Sequence, residues 1–146
     1  MSQIQLQTMS EQLSKTIVKY EQCKSIQDIF LAQSSSFGTL ARRDEIKTKA
    51  MLKIMFIRFS NFVNVKNPLT EEHIDFLADT IVSNYKWLTI ADLCFILKQA
   101  KMGKYGNLYE RLSPMQIFHW IDEHFENRCN IAEQQSIAES KRYKED

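Results

Sequence analysis

Apolar residues recur along most of this chain at intervals of three and four, the spacing that lines one face of an α-helix. Leu6, Met9, Leu13, Ile17 and Tyr20 make the first stripe. They predict an amphipathic helix over residues 10–23, capped by Ser10 with Glu11 in its first turn. Ser25 suits the cap of a shorter helix carrying Ile26, Ile29 and Phe30 on one face. Gln33-Ser-Ser-Ser-Phe-Gly38 reads as a loop, because serines compete for backbone hydrogen bonds and Gly38 loosens the chain.

Residues 39–65 are the longest helical stretch. Leu40, Ile46, Ala50, Ile54, Ile57 and Phe62 supply an apolar side, and Arg42, Arg43, Lys47, Lys49 and Lys53 a basic one. Residues 51–63 are apolar nearly all round, which predicts the central core helix. The β-branched and aromatic residues there also suit a strand, but length and the lack of turn residues decide for helix. Pro68 ends this element, and Thr70 caps the next, with Glu71 and Glu72 where the helix dipole favours anions. Ile74, Leu77, Ala78 and Ile81 form its buried face.

Thr89 and Asp92 make a capping box for a helix over residues 90–102, which ends at Gly103. That helix buries Leu93, Cys94, Ile96, Leu97 and Ala100. Ser113-Pro114-Met-Gln116 is the clearest start signal, and Ile117, Trp120, Ile121, His124 and Phe125 give the inner face that follows. Beyond Arg128 the chain turns polar. The pattern predicts a helical domain over residues 1–128, its first nine residues fraying, and a partly helical or disordered tail over 129–146. The fold class is all-α: a single compact domain of five or six helices around a long central helix.

Composition narrows the function more than the fold. With 146 residues the chain can bury one core. Three glycines and two prolines leave too little turn punctuation for a many-stranded sheet. A formal net charge of +1 gives no bulk case for nucleic acid or a membrane surface. Cys23, Cys94 and Cys129 are an odd, widely spaced set, read as reduced and mostly buried in a cytoplasmic protein. The first residues lack the basic-then-apolar pattern of a signal peptide, and no apolar run is long enough to span a bilayer.

No catalytic constellation assembles from these residues, and no cofactor is implied. His119 and His124 are five apart, there is no His-Glu-x-x-His, and no metal site is expected. His119 and Glu123 share a helix face but read as ordinary surface residues. Gly103-Lys-Tyr-Gly106 lacks both the spacing and the preceding strand of a phosphate loop.

Two features suit binding. One is charge segregation. Residues 38–66 carry seven cations and two acids, a local +5, while residues 67–85 carry four acids and no Lys or Arg. Such stretches make a basic face for phosphates, or neutralise each other across packed helices. The other is the segment 98–111, where Lys98, Lys101, Lys104 and Arg111 stand among Tyr105 and Tyr109. Cations beside stacking rings suit single-stranded nucleic acid. The same residues suit a protein contact, or a structural elbow whose tyrosines lock onto the core.

Tyr85-x-x-Leu88-Thr89-x-x-Asp92-Leu93, then Lys101-x-Gly103-Lys104-Tyr105-Gly106-x-Leu108-Tyr109-x-Arg111-Leu112 and a helix holding Trp120, resemble small helical proteins of phages and mobile elements of Bacteroides-type bacteria. The resemblance covers about residues 69–128. More loosely, the order of helices is similar to phage helicase loaders and replisome organisers. That resemblance implies a non-enzymatic accessory protein of DNA replication in the bacterial cytoplasm. Its partner would be DNA, single-stranded for preference, or a replicative helicase. Lys98, Lys101, Lys104, Tyr105, Tyr109 and Arg111 would then make the contact, with Arg42, Arg43 and Lys47 extending it. The alternative is a protein-interaction or assembly factor, such as a phage inhibitor of a host system or a homo-oligomer built through the N-terminal helix.

Overall fold

Asp44 cuts the stretch expected to form one long helix. Its backbone is extended (φ −159°, ψ 96°), closing one helix by its N–H to Leu40 O and opening the next by accepting from Lys47 N at 3.0 Å. The computed structural model describes residues 2–108 and 110–145. Over these it is all-helical, with seven helices rather than five or six. They are α1 (Gln3–Tyr20), α2 (Ile26–Ala32), α3 (Phe37–Arg43), α4 (Glu45–Val63), α5 (Glu71–Asn84), α6 (Ile90–Lys101) and α7 (Pro114–Glu145).

The expected central position is kept by α4 alone, which touches α1, α3, α5 and α6. Leu52, Met55, Phe56 and Phe59 of α4 are buried with Leu77 and Ile81 of α5, Leu93 and Ile96 of α6, and Ile117 and Ile121 of α7. Ile46, Ile57 and Phe62, expected on the apolar side, are exposed instead. α4 is covered on fewer sides than its composition suggests.

Capping logic places most boundaries. Ser25, Thr70 and Thr89 cap α2, α5 and α6, and Asp92 closes the expected box on Thr89. Ser113 N donates to Gln116 Oε1 at 2.7 Å as α7 begins. Two expectations fail. Ser2, boxed with Gln5, starts α1 a full two turns before Ser10, which instead lies inside the helix and accepts from Arg58. Ser36, not Gly38, ends the loop after α2, and Gly38 sits within α3. There a Cβ would stand 2.7 Å from Lys86 Cβ, so glycine serves close approach and not looseness.

The polar segment after Arg128 continues α7, a helix of 32 residues and so about 48 Å long. Ile131 is half-buried, and from Ala132 to Lys144 every side chain is exposed. Among the described residues no helix is long and apolar enough to cross a membrane.

Candidate functional site

The charge segregation in the sequence is spent largely between helices. Lys49 of α4 lies 3.2 Å from both Glu45 and Asp79, and Lys53 lies 3.0 Å from Asp75. The bonds from Asp79 and then Glu45 raise the Lys49 pKa. Arg58 donates to Ser10 and Ser14 of α1. Arg43 and Lys47 have no ion-pair partner among the described residues, and Arg42 donates only to Thr39. Lys47 lies at the start of α4, with Arg42 and Arg43 just before it at the end of α3, and Phe62, against which Lys101 packs, lies at the end of α4. The rise over those fifteen residues is roughly 22 Å, so Arg42, Arg43 and Lys47 do not adjoin the elbow cations.

The elbow itself is built into the fold. Lys98 Nζ donates to the carbonyl of Glu21, the residue that caps α1. Lys101 Nζ lies 3.7 Å from the Glu21 carboxylate and 4.7 Å from the Phe62 ring centroid. Both lysines therefore serve the negative end of the α1 dipole. Tyr105 stacks on Trp120 with centroids 5.1 Å apart and planes 11° apart, and burial, with Glu123 nearby, pushes its phenol up to about 12. Gly103 and Gly106 take positive φ (77° and 101°), the backbone reversal that other residues resist. Arg111 is exposed, and the backbone around it is pinned: Asn67 N donates to Glu110 O at 2.7 Å and Leu112 N to Asn67 O at 3.1 Å. Lys104 is exposed without an ion pair among the described residues. Tyr109 lies outside the described residues.

Between this elbow, α2, α6 and α7 runs a groove of about 470 Å³. His124, on its lining, belongs to a buried polar cluster that the sequence pattern does not assemble. Asp92, fully buried, receives His124 Nε2 at 2.8 Å, Arg128 Nη1 at 3.0 Å, Thr89 Oγ1 at 2.8 Å and Thr89 N at 3.1 Å. Burial pushes the Asp92 carboxyl up. The hydrogen bond with His124, the Arg128 charge and the Thr89 hydroxyl outweigh it and hold the group below its ordinary range.

The Arg128 guanidinium lies 5.3 Å from the Phe30 ring and 5.6 Å from Trp87, joining α2 to the cluster. His124 is stacked beside Trp87 and tilted against Phe95. Asp92 closes the capping box that the sequence predicts for α6, and His124 is an inner-face residue of α7. The overlooked sign was His124 and Arg128 four apart on that inner face, with a carboxylate inside the apolar run of α6.

No serine, threonine or cysteine lines the groove among the described residues. The Cys94 thiol is buried elsewhere, and burial raises its pKa to about 12. Cys129 is exposed, against the expectation that the cysteines are mostly buried. Among the described residues no three His, Cys, Asp or Glu side chains are grouped to hold a metal. Comparison of the chain with known families, curated proteins and solved structures gave no match.

Proposed function

We propose that this chain is a non-enzymatic protein-interaction module that presents the outer half of α7 to a partner protein. The supporting observation is that residues 132–144 continue as helix with every side chain exposed. A helix with no packed face gains little from its own polar surface, and contact with another chain stabilises it further. The elbow favours this reading over DNA binding. Lys98, Lys101 and Tyr105, the residues meant for phosphates and bases, already serve α1 and Trp120. The looser resemblance in helix order to phage helicase loaders and replisome organisers supports a replication protein, such as a helicase, as the partner.

A variant ending at Ile131 tests this. It should melt within about 2 °C of the full chain, since it loses no packed side chain. It should also lose association with a replicative helicase in sedimentation. Equal association of the two forms would overturn the assignment to α7. A second reading, contact with single-stranded DNA, keeps support from Lys104 and Arg111, which are exposed and unpaired among the described residues. In that case, oligothymidylate affinity falls steeply with salt and falls again when both residues become alanine.

A further inference from the structure

We infer that the groove between α2, the elbow, α6 and α7 is a peptide-binding site. Its occupant is an extended segment of the partner chain, hydrogen-bonded on the floor to His124. The inference rests on the protein-binding reading above and names what this face recognises.

His124 is only 2% exposed, yet it lines the groove. Its Nε2 is committed to Asp92 Oδ1, while Oδ2 of the same carboxylate receives Thr89 and Arg128. The bond to Asp92 occupies Nε2 and leaves Nδ1 as the ring nitrogen open to a ligand. Nδ1 has no hydrogen-bond partner among the described residues. Those residues also contain no buried side-chain nitrogen or oxygen without a partner. Nδ1 therefore meets the groove and can bond a backbone peptide group of the occupant there. Because Asp92 holds the ring, and Thr89 and Arg128 hold Asp92, this nitrogen is preorganised.

The rim matches a polypeptide backbone. Gln27, Gln99, Asn127 and Asn130 bring primary amides from three helices, each offering donors and an acceptor. Alternating N–H and C=O groups of an extended chain need both. Lys104 and Glu123 line the same groove without pairing, so the lining has no net charge to favour a phosphate chain. Phe95, Ile26 and Ile131 add apolar surface for side chains between the polar contacts. The volume falls in the range of roughly 300–1,000 Å³ common to ligand sites. The groove also reaches the root of the exposed half of α7, so one partner would meet both surfaces.

The test is selection of a displayed random peptide library on the full chain. The best peptide is then measured by fluorescence anisotropy against wild type, Asn127→Ala/Asn130→Ala and Lys66→Ala, an exposed position away from the groove. Asn127 and Asn130 are exposed, so their double variant should keep the wild-type melting temperature. We expect its affinity to drop about tenfold or more and that of Lys66→Ala to stay unchanged. The peptide should also shift the His124 ring nitrogen resonances. A peptide that binds the double variant as tightly as wild type, with those resonances unmoved, overturns the groove and leaves the protein-binding reading standing. A library with no binder, and helicase association equally absent, overturns both. Oligothymidylate shifting the His124 resonances where peptides do not would make the groove a nucleic-acid site and overturn the proposal.

Discussion

Asp92 does two jobs with one carboxylate. Its Oδ2 closes the N-terminus of α6 through Thr89, and the same carboxylate holds His124 and Arg128 from α7. Removing one partner of a buried ion pair is costly because the other charge is left unmatched. Asp92→Ala should therefore destabilise the fold by about 3 kcal/mol in urea unfolding, near the lower end of the 3–5 kcal/mol range because Arg128 keeps some access to water. The pH dependence follows in sign. A carboxyl held below its ordinary value of 3.8 contributes stability that is present above that value and lost as pH falls through the folded one. Wild type should lose urea resistance between about pH 5 and pH 2 more steeply than Asp92→Ala does. Parallel curves would mean that Asp92 carries no such linkage.

Helix α3 shows how one residue fixes an element. Phe37 N donates to Leu88 O at 2.7 Å and Gly38 N to Lys86 O at 3.1 Å, so the start of α3 lies directly against the turn before α6. Helix propensity alone favours alanine over Gly38 by about 1 kcal/mol. A Cβ there would be 2.7 Å from Lys86 Cβ and 2.9 Å from Lys86 O, and the second atom is backbone that cannot swing away. Overpacking of this kind costs roughly 1–3 kcal/mol, so the clash wins. Gly38→Ala should lower the melting temperature by several degrees, whereas a loop glycine free of contacts would give no change or a small rise. The break at Asp44 belongs to the same scale. Periodicity ran through it, and the aspartate was available as a cap, but only the packing of α3 on both α4 and α5 turned that option into a corner.

Across the whole molecule, the body and the extension differ in what holds them. The body is tied by the shared core and by α4–α5 ion pairs, while residues 132–144 rest on helical hydrogen bonds alone. Local opening is easiest where few apolar contacts oppose it. Amide exchange should therefore be fast throughout residues 132–144 and slow in α4, α5 and α6, as followed by mass spectrometry. Protection extending evenly to the end of α7 in the free chain would contradict this. Bound partner should slow exchange in the extension.

The sequence by itself determined the all-helical class, the helix starts at Ser25, Thr70, Thr89 and Ser113, and the single core. Those features depend on residues close together in the chain: apolar spacing, a serine or threonine before a first turn, a glycine after a last one. The tertiary structure decided where long side chains end up. Lys98 and Lys101 reach Glu21 across 77 and 80 positions, and Asp92 reaches His124 across 32. Cations flanking tyrosines look alike whether they face solvent or a neighbouring helix dipole. A carboxylate inside an apolar run gives no sign of which helix will bring its base. Both choices are made by helix packing, through contacts that no local spacing encodes.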